Sequence, residues 1–227
     1  MLGRIEGFTG KSIDGKKSRI MALQDVAQSI SGLILACFML CHMIFTGTIL
    51  IGKGAFEGVV HFAEPGGIYF VTNIVAFVIF VIFVVHAFLA MRKFPANYGA
   101  YRAYKAHKIR MKHCDTTLWW FQFWTGFFLF FFAAAHLLMI VFGPKITVDL
   151  AAARFGQLHL FYFVLLVFVV THASIGIYRL YMKWISIDGT KAEVQRKRAL
   201  IKKVVFIVWG AFFLLSIIAD FKWLSLE

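Results

Sequence analysis

Five separate apolar runs, each long enough to cross a bilayer, constrain this chain more than any other feature. A helix needs about 20 apolar residues to span a hydrocarbon layer ~30 Å thick. Residues 26–51, 68–91, 117–142, 155–184 and 203–221 all meet that length. They predict an all-α integral membrane protein with five transmembrane helices, a single membrane domain over 1–227 whose first four helices form a bundle. Composition supports lipid as the solvent: 61% of residues are hydrophobic, Phe alone numbers 27, and all three Pro lie outside the runs. About two dozen polar residues precede the first run, too many for a secretory signal, so this run is expected to remain a true span. Gly52-Lys53-Gly54 and Pro65-Gly66-Gly67 bound the first connection, and Gly143-Pro144 follows the third run. No internal repeat of useful quality stands out.

The net charge of +13 raises the question of nucleic acid, but the charges cluster between the apolar runs and no nucleic-acid-binding motif accompanies them. They report topology instead. Arg4, Lys11, Lys16, Lys17 and Arg19 precede the first run. Arg92, Lys93, Arg102, Lys105, Lys108, Arg110 and Lys112 fill the second connection. Lys183, Lys191, Arg196, Lys197, Arg198, Lys202 and Lys203 fill the fourth. The other side holds only Lys53, Lys145, Arg154 and Lys222. Basic segments stay in the cytoplasm, which places the amino terminus inside and the carboxyl terminus outside. The cysteines Cys37, Cys41 and Cys114 make no disulfide framework. Cys37 and Cys41, within an apolar run, read as small buried hydrophobes.

Each of the first four runs carries a histidine well inside it: His42, His86, His136 and His172. An ionisable group in hydrocarbon is costly and normally faces the bundle interior with a partner. Singly, each could be a hydrogen-bonded core residue. Depth sorts them into pairs. At 1.5 Å per residue, His42 and His136 lie ~26 and ~28 Å from the inner ends of their helices, whereas His86 and His172 lie only ~9 and ~18 Å from theirs. Two imidazoles facing across a bundle supply both axial positions of a haem iron. Zinc would favour a single cluster of ligands over separated pairs. Ala133, Ala90 and Gly176, each one turn from a histidine, leave room for a porphyrin. Gln28, Ser29, Trp119 and Lys183 near the inner helix ends, and Arg154 near the outer end of the fourth, are candidate propionate partners. Trp119 reads equally as part of an aromatic belt, and Lys183 and Arg154 as snorkelling cations.

The run from His86 through Arg92-Lys93-Phe94-Pro95, then Asn97-Tyr98 and His113-Cys114-Asp115 to Trp119-Trp120, resembles the cytochrome b subunit of menaquinol:fumarate reductases, within the succinate:quinone oxidoreductase family. So does the run from His172 to Leu180 followed by Lys183-Trp184. The likeness extends from Lys16-Lys17-Ser18-Arg19 to the fifth helix and is weakest in the two outer connections and at the carboxyl end. It implies a multi-pass protein of the bacterial cytoplasmic membrane, joined on its inner side by an iron–sulfur subunit and a flavoprotein. It implies two haem b groups, the inner on His86 and His172 and the outer on His42 and His136. The family's inner propionate partners correspond to Gln28, Ser29, Trp119 and Lys183, and Arg154 would serve the outer haem. Menaquinol is the implied substrate, and the dicarboxylate chemistry falls to a partner.

In that family the quinol site lies near the outer haem with an acidic residue as proton acceptor. The first outer connection is shorter here, leaving Glu57, His61 and Glu64 as candidates, with Glu64 preferred. Some members carry a glutamate two residues before the fourth-helix histidine; here that position is Val170, which cannot titrate. Other readings remain open: a succinate dehydrogenase anchor working toward quinone reduction, or the cytochrome b of a formate dehydrogenase or hydrogenase. A haem-free channel or transporter would call for broken helices or midplane acidic residues, which the sequence lacks. The oligomeric state of the complex, a dimer included, is open as well.

Overall fold

The computed structural model describes residues 19–64 and 70–226. Arg4, Lys11, Lys16, Lys17, the Pro65-Gly66-Gly67 turn and the expected helix start at 68 lie outside the described residues. Among those described, the regular elements are all helical. In chain order they are α1 (Arg19–Gly47), a 3₁₀ turn (Thr48–Leu50), α2 (Lys53–Ala63), α3 (Phe70–Met91) and α4 (Tyr98–Met111), then α5 (Cys114–Val141), α6 (Val148–Gln157), α7 (His159–Trp184) and α8 (Lys191–Leu224). Five of them, α1, α3, α5, α7 and α8, are long and apolar enough to cross a membrane. Their outward faces carry large apolar side chains in helical register, such as Phe70, Ile74, Phe77 and Val81 on α3. A soluble monomer does not expose patches of that extent; against lipid tails they meet their own kind.

Several boundaries differ from the apolar runs, each for a physical reason. α8 starts at Lys191 rather than 203 because Lys-Ala-Glu-Val-Gln-Arg-Lys-Arg is made of strong helix formers. Its start is secured by a capping box between Thr190 and Glu193. The connections are not plain loops: α2, α4 and α6 are helices too short or too polar to stand out as apolar runs. The fourth run divides at Leu158, where φ is −121° and ψ 23°, so Arg154 belongs to the short α6 and not to the spanning helix. Cys37 and Cys41 are exposed on the outer face of α1, not buried. Gly52, at φ 147°, turns the chain out of the 3₁₀ segment into α2 with a backbone that residues bearing a Cβ rarely adopt.

Helices α1, α3, α5 and α7 pack in sequence around a ring, closed by contacts between α7 and α1. α8 lies outside the ring against α7 and α1, where its Trp209 packs with Met39, Leu166 and Val170. α2 and α6 cover one end of the bundle, joined to α8 through Ile49, Phe56, Val148, Ala152, Ala219 and Trp223. At that end the Asn73 amide donates to the carbonyls of Ile140, Val141 and Gly143 at 3.1, 3.0 and 3.3 Å. It thereby bonds carbonyls at and just past the C-terminal end of α5 from α3.

The opposite end is basic and held by two carboxylates. Asp25 on α1 pairs with Arg92, with Lys93 at 3.2 Å and with Lys183 at 3.3 Å, tying α1 to α7 and to the segment after α3. The Lys93 side chain stays 44% exposed, yet desolvation among its neighbours holds its ammonium below the ordinary lysine range against the opposing pull of Asp25. Asp115 on α5 binds Lys202 of α8 at 2.5 Å and accepts from the Tyr178 hydroxyl of α7 at 3.2 Å.

Candidate cofactor site

The ring of four helices encloses a cavity of about 1200 Å³ lined by His42, His86, His136 and His172. That exceeds the roughly 300–1,000 Å³ of an ordinary ligand pocket. The histidines occupy two levels. His42 and His136 project from the last turns of α1 and α5, at the end covered by α2 and α6. His86 lies in the last turns of α3, toward the basic end, and His172 near the middle of α7.

The His42 and His136 rings have centroids 6.0 Å apart. An imidazole nitrogen binds a metal at ~2 Å with its ring centroid ~1 Å behind, so two axial rings around one iron stand roughly 6 Å apart. The spacing therefore fits bis-histidine ligation. His136 Nδ1 is buried and has no hydrogen-bond partner; a core histidine normally satisfies both ring nitrogens within the protein. Among the described residues no three His, Cys, Asp or Glu side chains converge as a metal cluster.

The second pair is held differently. His86 Nδ1 lies 3.1 Å from Ser31 Oγ. His172 Nδ1 lies 3.1 Å from the Gln122 carbonyl and 3.3 Å from Thr125 Oγ1. Contacts through Nδ1 fix ring orientation while Nε2 stays available to a metal. Ala90, Ala133 and Gly176 also line the cavity.

Gln28, Ser29, Trp119 and Lys183 line the cavity at its basic end, and Arg154 lines it at the other. Gln28 Oε1 is buried without a hydrogen-bond partner. The Ser29 hydroxyl donates to the Asp25 carbonyl at 2.7 Å, and Lys183 Nζ approaches the same oxygen at 3.4 Å. Trp119 is set among Trp120, Phe123 and Tyr104, so it belongs to an aromatic belt as well as to the cavity wall. Arg154 reaches the cavity from α6 beside Phe155, which stacks on Tyr162, itself edge-on to His136 at 5.8 Å.

The three acceptor candidates separate sharply. Glu57 and His61 are exposed on α2, whereas Glu64, the residue closing α2, is 2% exposed. Its Oε1 accepts from the Thr72 hydroxyl at 3.0 Å, and its Oε2 has no hydrogen-bond partner, facing Lys145 Nζ at 3.7 Å. A smaller cavity of about 240 Å³ is lined by all three together with Lys145. Thr72 also lines the large cavity, so Glu64 stands between the two.

Sequence reasoning missed several groups in and beside the cavity. Ser31 and Thr125 are unremarkable hydroxyls until the rings beside them are known. Arg179, bonded to Gln122 Oε1 at 2.5 Å, adds a guanidinium at the basic end. Asp220 of α8 lines the cavity at the far end; a carboxylate within a predicted span was a signal that could have found it.

Residues 99–212 match the family described as succinate dehydrogenase/fumarate reductase transmembrane subunit. The fumarate reductase cytochrome b subunit of Wolinella succinogenes is 38% identical over 218 residues, covering 90% of this chain and 85% of the relative. The protein of the same name from Helicobacter pylori strain 26695 is 42% identical over 215 residues, 91% of this chain and 84% of the relative.

Proposed function

The chain belongs to the succinate dehydrogenase/fumarate reductase transmembrane subunit family, and from that membership we propose that it is the di-haem cytochrome b anchor of a bacterial quinol:fumarate reductase. The observation that carries the reading is the pair of facing imidazoles, His42 and His136, at one level of a bundle whose other level holds His86 and His172. His86 and His172 would hold one haem b, and His42 and His136 the other. When bound, the two haems supply one-electron carriers at two depths, between a quinol on one side and an iron–sulfur partner on the other.

The chain's own residues do the rest. The basic segments support placing the Asp25 end inside, against the flavoprotein and iron–sulfur subunits. At that end Gln28, Ser29, Trp119 and Lys183 offer donors and a cation to propionates, and Arg154 does so at the opposite end. Oxidising a menaquinol to the quinone releases two electrons and two protons. The Glu64 carboxylate, buried and with one oxygen unbonded, accepts a proton from the quinol hydroxyl, and Lys145 and Thr72 hold it in place. The dicarboxylate chemistry lies in the flavoprotein. Purified complex is expected to show two b haems per chain in a pyridine haemochrome spectrum and to reduce fumarate with a quinol donor. A complex with no b haem would end the proposal.

Val170 is 8% exposed, packed among Met39, Leu166 and Trp209. Val170 has no titratable group, so this position carries no proton inward with the electrons. Quinol oxidation outside with electrons moving inward then displaces charge, worth about 2.3 kcal/mol per charge per 100 mV. Turnover in vesicles carrying a potential-sensitive dye is expected to generate a signal. Absence of charge movement would mean that another route compensates.

A further inference from the structure

We infer that the pattern Gln-x-x-Ser/Thr-Gly, which occurs at 28–32 in α1 and again at 122–126 in α5, is a twice-built socket that seats His86 and His172 and fixes the proton on their Nδ1 atoms. The inference rests on the proposed reading that these two histidines share a haem, and it adds positioning residues to that site.

Hydrogen-bond accounting sets the proton. The Ser31 hydroxyl donates to the Gln28 carbonyl at 3.2 Å. The Thr125 hydroxyl donates to the carbonyls of Phe121 and Gln122 at 2.8 and 3.2 Å. A hydroxyl has one proton, so toward the imidazole each oxygen offers only lone pairs. The Gln122 carbonyl, 3.1 Å from His172 Nδ1, has no proton to give. Each ring therefore carries its proton on Nδ1 and presents the Nε2 lone pair for ligation.

The glycines supply the seat. A Cβ on Gly32 would stand 2.9 Å from His86 Cε1, and one on Gly126 would stand 2.9 Å from His172 Cε1. The next contacts, to Nδ1, are 3.4 and 3.3 Å. Two glycines on different helices thus meet two rings in the same way. α1 serves a histidine of α3, and α5 serves a histidine of α7, so the bundle uses one arrangement twice. Donation from Nδ1–H makes the imidazole a stronger ligand, which favours the ferric state and holds that haem's potential down. His136 Nδ1 has no such partner, so the two haems are tuned unequally.

The test uses the purified complex and a redox titration followed at the b-haem absorption bands. Ser31→Ala and Thr125→Val are each expected to raise the midpoint potential of the haem held by His86 and His172 and to leave the other unchanged. The two shifts should add in the double variant, because they act on opposite ligands. Ser31→Thr and Thr125→Ser should keep the wild-type potential. Gly32→Ala and Gly126→Ala should each weaken retention of that haem alone, by about 10–100-fold, with the other haem as internal control for folding. An unchanged potential in the double hydroxyl variant, or equal shifts in both haems, would overturn the socket. A wild-type complex without two b haems would overturn the underlying reading instead.

Discussion

Replacing His42 with alanine is expected to remove one b haem and leave the other, and His86→Ala is expected to remove the opposite one. The pyridine haemochrome content should fall from two per chain to one in each variant, and quinol-driven fumarate reduction should be lost in both. The reason is ligand geometry: an iron held by two axial imidazoles in an apolar cavity loses half of its protein ligation with either one. His42 faces His136 with ring centroids 6.0 Å apart; His86 and His172 line the same cavity and, on the proposed reading, share the other iron. His136→Ala should therefore abolish the same redox wave as His42→Ala, and His172→Ala the same wave as His86→Ala. If the four variants sort into any other pairs, the two-level account fails. Folding is controlled within each protein by the haem that remains.

The second large effect is at Glu64. Glu64→Gln is expected to reduce quinol oxidation by about 10²–10⁴-fold, the usual contribution of a positioned general base. Both haem spectra and fumarate reduction from a dye that feeds the flavoprotein directly should be retained. The amide keeps the size of the side chain and can still bond Thr72, but it cannot take a proton. Glu57→Gln and His61→Gln, at exposed positions on α2, should change the rate far less. Wild-type quinol turnover in Glu64→Gln would remove this residue from the mechanism and return the choice to the other two. Thr72→Val offers a finer reading: losing the hydroxyl that bonds Oε1 at 3.0 Å should shift the pH profile of quinol oxidation without abolishing it.

The legible part of this protein is the part that depends on distance along the chain. Runs long enough to span lipid, the rise of 1.5 Å per residue and the bias of Lys and Arg specified the five helices and the two histidine depths, while the residue runs around His86, His113 and His172 carried the likeness to a known family. Arg154 shows where that stops. It looked like the outer end of the fourth span, but a break at Leu158 puts it on α6, and no length rule locates a break inside a mostly apolar stretch. The short helices α2, α4 and α6 were equally invisible, because segments of ten to fourteen residues, amphipathic in α2 and α6 and polar in α4, fall below the length at which spans are recognised.

What the sequence determined alone was how deep each group lies; what only the tertiary structure decided was which groups face each other. A helix that is apolar on nearly every side carries little periodic signal to reveal its inward face, and its rotation and tilt are set by packing against neighbours. That is why Glu64 could not be distinguished by burial from Glu57, why Cys37 and Cys41 turned out to face outward, and why Ser31, Gly32, Thr125 and Gly126 went unnoticed. Their role comes into being only where α1 meets α3 and α5 meets α7.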